Sequence, residues 1–228
     1  MARPNSPEDI CNLSLDFLKQ APLASIQTPV TTTELIFSRW YDIERQSALR
    51  SHPWKFATKR TLLTPDPLTT PPFGYLYAYN LPNDFIRMIS IGDDYLRDNR
   101  MDHVVENGQI LAPSGSSGQF PNTQGQDPTD TQTLYLKYVY DIIAVSSFDS
   151  LFIKYLALQL AMSLSTKFAI SAALGKNIES MFEDVQTKAR SANGQDSPIQ
   201  RIQQSRILTK RRGLPGGIFA SKYTVFDT

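Results

Sequence analysis

The hydrophobic pattern switches between helical and strand spacing along this chain. Ile10, Leu13, Phe17 and Leu18 recur at helical intervals. Ser6 precedes them as a cap, Pro7 suits the first helical position, and Glu8 and Asp9 favour the positive end of the helix dipole. Pro22 is expected to end this helix. Thr31, Thr32 and Thr33 offer caps for a second, longer helix. Its apolar stripe reads Leu35, Ile36, Trp40, Ile43 and Leu49, with Arg39, Asp42, Arg45 and Arg50 mostly off the stripe. Pro53 stops it, because the residue before a proline is pushed out of the α region.

From Trp54 the period becomes two, which would set Trp54, Phe56, Thr58, Arg60 and Leu62 on one face of a strand. The proline-rich TPDPLTTPPFG that follows is stiff and strand-free. Tyr75, Tyr77 and Tyr79 share a face, Phe85 to Gly92 reads as another strand, and HVVENGQILA is a hairpin turning at Asn107-Gly108. Residues 113–132 form a flexible loop by composition, and LYLKYVY returns to alternation. Phe148 to Leu174 is the strongest helix, apolar on most sides. Gly175 is expected to break it, and Asn177 to cap a further helix carrying Ile178, Met181, Phe182 and Val185. Pattern is lost from Asn193. The order predicts an α+β fold. Residues 1–52 and 146–193 supply the helices of a bundle, 53–145 an inserted antiparallel β-rich section, and 194–228 an extended C-terminal tail.

Composition narrows the function. Of 228 residues 41% are hydrophobic and 11% aromatic, enough for a sizeable core. A formal net charge of +1 gives no global pull towards nucleic acid or membrane. The apolar run YLALQLAMSLST is too short to cross a bilayer, and no apolar leader follows MARPNSPEDI, so no membrane partner is expected. The lone Cys11 excludes an intrachain disulfide and reads as a helix-packing residue rather than a reactive thiol.

Candidate chemistry is sparse. His52 and His103 have no partners at metal-ligand spacing, and neither a nucleophile elbow nor a phosphate-cradling glycine motif is present. No catalytic residue, metal site or cofactor is expected. Asp93-Asp94 is a carboxylate pair, but neighbours in an extended chain point to opposite faces, so a solvated turn is the favoured reading. The tyrosine row could stack bases, yet it lacks interleaved cations, which favours a sheet face packed on a helix. The tail carries Arg201, Arg206, Lys210, Arg211 and Arg212, punctuated by Ile202, Ile207, Leu208, Leu214, Ile218 and Phe219. Phosphate contacts and plain disorder both compete for it, but the apolar punctuation fits a strap laid on a partner protein.

Two segments carry a family resemblance. Tyr41, Asp42, Arg45, Leu49, His52, Pro53, Trp54, Phe56 and Ala57 resemble the YD-x-x-R … L-x-x-HPW-x-FA stretch of the head-to-tail adaptor proteins of short-tailed bacteriophages, also called tail tubular protein A or gatekeeper connectors. Phe73, Gly74, Tyr75, Tyr77, Tyr79, Leu81, Pro82 and Asp84 look like the family's FGY-x-YAY-x-LP-x-D, and ICNLSLDFLKQAPLASI resembles its first helix. Lys19-Gln20 replaces the usual Leu-Gly, and threonines replace the acidic-serine opening of the second helix. The resemblance covers roughly the first 90 residues, and beyond them only the order of elements.

The resemblance implies a structural protein of the virion, assembled in the bacterial cytoplasm and placed at the head-to-tail interface. It implies a homo-oligomeric ring, usually of twelve copies, beneath the portal protein. The ring would extend the DNA channel without binding DNA specifically and would offer a docking surface to the tail nozzle and tail fibres. The apolar helix after Phe148 would find some of its neighbours in an adjacent copy. The tail from Ile199 to Phe226 would dock on the portal, and the 113–132 loop would lie towards nozzle or fibres. Two other functions compete: a tail-associated wall hydrolase using Asp93 and Asp94, and a nucleic-acid-binding accessory protein using the tyrosine row and basic tail.

Overall fold

A computed structural model of the chain describes residues 3–92, 102–113 and 133–196. The fold mixes helices and two small antiparallel sheets, an α+β architecture. The order is α1 (Pro7–Leu18), α2 (Thr32–Ser51), β1 (Thr58–Leu63), β2 (Tyr77–Asn80), β3 (Phe85–Ile91), β4 (Val104–Glu106), β5 (Gln109–Ala112), β6 (Leu134–Tyr140), α3 (Ser150–Leu164) and α4 (Ala172–Gln195). Among the described residues no helix is long and apolar enough to cross a membrane.

Helix α1 starts as its sequence dictates. Ser6 Oγ accepts the Asp9 N–H at 3.2 Å, and the Asp9 carboxylate returns the bond to Ser6 N–H at 3.1 Å. It ends before Pro22, because Lys19 adopts a left-handed cap with φ 56° and its N–H closes back on the last turn. Helix α2 uses a larger device. The Glu34 carboxylate accepts the N–H groups of Val30 and Thr31 at 2.8 Å each, of Ala24 at 3.1 Å and of Ser25 at 3.5 Å. The N–H of Thr31 is the strongest of the causes that hold this carboxyl down at about 2, far below the usual range. One side chain thus caps α2 and fixes the loop that leads into it.

The inward face of α2 differs from the expected stripe. Phe37, Tyr41, Glu44, Arg45, Ala48 and Leu49 are buried, whereas Leu35 is 43% and Ile43 62% exposed. The helix is rotated because Arg45, expected off the stripe, finds buried partners. Glu44 likewise accepts from Gln159 Nε2 on α3 at 2.7 Å. Of the expected stripe, Leu49 is fully buried and Ile36 and Trp40 pack on the core, and only Leu35 and Ile43 turn outward.

After Ser51 the chain leaves the helix at His52, φ −151° and ψ 147°, as Pro53 requires. Trp54 and Phe56 do not begin a strand. Residues 55–57 make a short 3-10 turn, and β1 starts at Thr58. The turn re-phases the strand, so Leu63 packs inward while Arg60 and Leu62 are exposed.

The first sheet has the order β1-β6-β3 and the second β2-β5-β4, all neighbours antiparallel. Asn107 and Gly108, with φ 47° and 73°, form the tight turn between β4 and β5. Strand β6 serves two cores. Val139 belongs to the helical core, and Leu134, Leu136 and Tyr138 belong to a second core with Tyr79, Ile110 and Ala112. The tyrosine row therefore packs sheet on sheet, not on a helix, and Tyr75 precedes the strand. In β3 register shifts fall between Phe85 and Arg87 and between Met88 and Ser90. These bulges space Phe85, Met88 and Ile91 by three residues yet keep all of them against the second core.

The expected helix from Phe148 to Leu174 is two helices. Helix α3 stops at Leu164, where Ser165 Oγ bonds back to the Met162 carbonyl at 2.7 Å. Ala169 turns left-handed at φ 47°, and Ser171, not Asn177, caps α4 by accepting from Leu174 N–H at 3.3 Å. Gly175 lies inside the first turn of α4 and breaks nothing, and α4 continues past Asn193 to Gln195. Helix α3 contacts α1, α2 and α4, which cover most of its apolar surface and leave Met162 exposed.

Two consequences are measurable. Trp54→Ala should cost about 3–5 kcal/mol in urea unfolding, because the indole is nearly fully buried. The depressed Glu34 carboxyl contributes stability that is complete above its ordinary value near 4.5 and is lost as pH falls from there towards about 2. Glu34→Gln should lower the melting temperature at pH 7 and flatten that acid dependence, read by thermal melts across the acid range.

Candidate functional site

The corner at residues 52–57 is a packed joint. Trp54 Nε1 donates to the Ala48 carbonyl at 2.9 Å, which ties the indole to the last turns of α2. Its ring meets Phe152 edge-on at 5.1 Å between centroids, Tyr155 at 5.8 Å and Phe56 at 6.1 Å. Phe56 also meets Phe152 at 4.9 Å. The joint is closed from α4 by Asn193. Its Oδ1 accepts the Lys55 N–H at 2.7 Å, and its Nδ2 donates to the Pro53 carbonyl at 3.3 Å and lies 2.9 Å from His52 Nε2. Burial, then the charges of Arg190, Arg87 and Lys55, push the His52 imidazole below its ordinary value, which suits a neutral ring whose Nε2 accepts from Asn193.

Arg45 and Asp84 of the signature meet at Asp141. Arg45 donates to the Asp141 carboxylate, to the Ile142 carbonyl at 2.8 Å and to Asp42 at 3.2 Å. Burial works against the charged guanidinium, but the two carboxylates outweigh it and hold Arg45 above its ordinary value. Gln46 Nε2 donates to the second Asp141 oxygen at 2.9 Å. The Asp141 N–H in turn donates to the Asp84 carbonyl at 2.7 Å. The Asp84 carboxylate accepts from Tyr138 Oη at 2.8 Å and Lys59 Nζ at 2.7 Å. Burial and this contact with Asp84 push the Tyr138 hydroxyl up to about 12. Pro82 accepts the Phe85 N–H at 3.0 Å in the turn that starts β3, and Leu81 packs on the second core. Arg50 donates to the Ile86 carbonyl at 2.6 Å and Arg87 to the Arg50 carbonyl at 3.1 Å. The YD-x-x-R and LP-x-D segments are thus one connected network joining α2 to β3 and β6. Tyr41 stands apart, buried in the helical core, its hydroxyl raised by that burial.

Every carboxylate of this network is engaged by a cation, an amide or a hydroxyl, an arrangement suited to holding elements together rather than to proton transfer. Among the described residues no group of three His, Cys, Asp or Glu is placed to hold a metal ion. Cys11 is buried, and that burial raises its thiol well above the ordinary value, so it packs rather than reacts. His103 sits immediately before β4. The Asp93-Asp94 pair, the loop 114–132 and the tail positions from Arg201 to Phe219 lie outside the described residues.

Asp141 and Asn193 are the residues that sequence reading misses. Asp141 directly follows an alternating strand and resembles any loop acid. Asn193 stands where apolar periodicity fades, and a side chain that bonds three distant groups leaves no periodic trace. No protein-family model matches the chain, and no curated protein matches it.

The network divides into strong and weak links. Arg45→Ala should cost about 3 kcal/mol in urea unfolding, because it strands a partly buried Asp141 and the Ile142 carbonyl. Asp42→Ala should cost less than about 0.5 kcal/mol, because that carboxylate is largely solvated.

Proposed function

We propose that this protein is a structural component of a short-tailed phage virion, a head-to-tail adaptor. Copies of it would form a ring, usually twelve in this type of assembly, beneath the portal. The ring would extend the DNA channel and present its lower side to the tail nozzle and fibres. In this reading α1, α2, α3 and α4 form a bundle, residues 53–145 are a β-rich section inserted into it, and residues 194–228 are an extended tail.

The observation that carries the proposal is the shared motif. The segments resembling the adaptor family are read from sequence alone, yet in three dimensions most of them join into one unit at the base of the β-rich section. Such a unit fixes how a β-rich section stands on helices, the requirement on a subunit that must repeat the same angle around a ring. A near-neutral chain also suits a conduit, since a strongly basic channel would hold DNA by counterion release.

The tail is the proposed portal strap. It begins just beyond α4, whose end is pinned to the corner by Asn193. The test is the mass of the purified protein alone and with the portal ring of the same virion, followed by negative-stain imaging. Rings are expected only with the portal. Deleting residues 197–228, which spares Asn193, should abolish portal binding and leave the melting temperature within a few degrees of the full chain. Unchanged portal binding would remove the strap from the proposal. A full-length monomer that ignores the portal would end the adaptor reading.

A further inference from the structure

Asn193 holds three groups at once, and only one of the three can change its chemistry. Its Oδ1 takes the Lys55 N–H at 2.7 Å, and its Nδ2 hydrogens go to the Pro53 carbonyl at 3.3 Å and to His52 Nε2 at 2.9 Å. The Lys55 N–H can only donate and the Pro53 carbonyl can only accept, so together they fix which way the amide points. His52 Nε2 must then accept, with the ring proton on Nδ1. All three bonds coexist only with a neutral imidazole. A proton on Nε2 sets donor against donor. Turning the amide over would offer Oδ1 to the imidazolium. Nδ2 would then face the Lys55 N–H, and the Pro53 carbonyl would lose its donor.

The surrounding charges push the same way. Arg190 on α4, Arg87 on β3 and Lys55 on the turn are the ionised groups that act on the ring, and all three are cations. The Trp54 indole meets the ring at 4.8 Å from the corner side. An imidazolium at position 52 repels Arg190, which lies on the same helix end that Asn193 holds. Apolar packing at that end is thin. Ala189 is the last buried residue of α4. Beyond it a groove of about 350 Å³ opens between helix and corner, lined by Ala192, Asn193, Phe56 and Phe148.

We propose that His52 and Asn193 form a proton-operated latch, closed while the imidazole is neutral, which fastens the last turns of α4 to the corner and releases them in acid. The latch rests on the geometry of the corner and not on the adaptor reading. Above the ordinary imidazole value of 6.5 the ring is neutral whether the latch is open or shut, so closure is complete there. Below that value the open latch binds a proton that the closed one refuses. The ratio of closed to open then falls by up to about tenfold per pH unit. Residues 197–228 continue from the turns that the latch controls.

The Lys55 amide reads the latch directly, because Asn193 Oδ1 is its acceptor. Leu23 supplies the control. Its N–H is held by Asn12 Oδ1 at 2.8 Å and its carbonyl by Asn12 Nδ2 at 3.2 Å, an asparagine fork with no histidine in it. Hydrogen exchange of both amides is followed by NMR in the full chain from about pH 8 to about pH 5, as protection relative to the free-peptide rate. Lys55 protection should hold down to about pH 6.5 and then fall about fivefold by pH 5, with Leu23 unchanged. His52→Gln offers an amide oxygen in place of Nε2 and should keep Lys55 protected throughout. Asn193→Asp accepts from both the Lys55 N–H and an imidazolium. It should preserve the protection in acid and raise the midpoint of the His52 ring titration above that of the unaltered chain. Lys55 protection that stays flat in the unaltered chain, or that falls equally in His52→Gln or at Leu23, would overturn the latch. A His52 ring that titrates at or above 6.5 in the unaltered chain would overturn it too, and that reading needs no variant to fold.

Discussion

The burial of Trp54 is the constraint on which the arrangement of helices and sheets depends. Pro53 forces the chain out of α2, and the indole then lands between α2 and α3 with Phe152, Tyr155 and Phe56 around it. Burying each large aromatic contributes about 2–3 kcal/mol, whereas each of the surrounding neutral hydrogen bonds contributes about 1 kcal/mol. The aromatics therefore hold the joint closed, and the directional bonds from Arg45, Arg50, Asp84 and Asn193 set its angle. A purely apolar joint would leave the sheets free to swivel on a greasy contact.

Helices α2 and α3 divide their surfaces differently. Helix α3 buries most of its surface against α1, α2 and α4. Helix α2 takes Glu44 and Arg45 inward, where polar partners meet them, and leaves Leu35 and Ile43 outward.

Local signals were the legible part of the sequence. Ser6 and Thr31 cap helices, Pro53 ends one, Asn107-Gly108 turns a hairpin, a strand stands at Phe85, and the strand at Leu134 begins in strict alternation. Orientation was less legible. Periodicity places Leu35 and Ile43 on the inner stripe of α2 and Arg45 off it, because Arg45 is judged polar until Asp141, almost a hundred residues away, is brought beside it. The break after Leu164 leaves no signal in the pattern, because apolar residues continue on both sides of a turn made by serine, threonine and lysine. Tyr77 and Tyr79 were correctly placed on a packed face, but their partners come from β5 and β6, which no local pattern announces. Of the candidate site, the corner and the Arg45 and Asp84 segments were visible as motifs. Their meeting at Asp141, and the closure by Asn193, exist only in three dimensions.

The central place of β6 also dictates when this protein can fold. Strand β1 pairs with β6 across some seventy residues of intervening chain, and β3 waits for the same partner. Helices α1 and α2 both lean on α3, which comes later still. During synthesis the first half of the chain therefore emerges with its apolar faces unmatched, and neither core closes until the residues after 134 have left the ribosome. Such non-local order makes folding slow and leaves the early chain in need of protection.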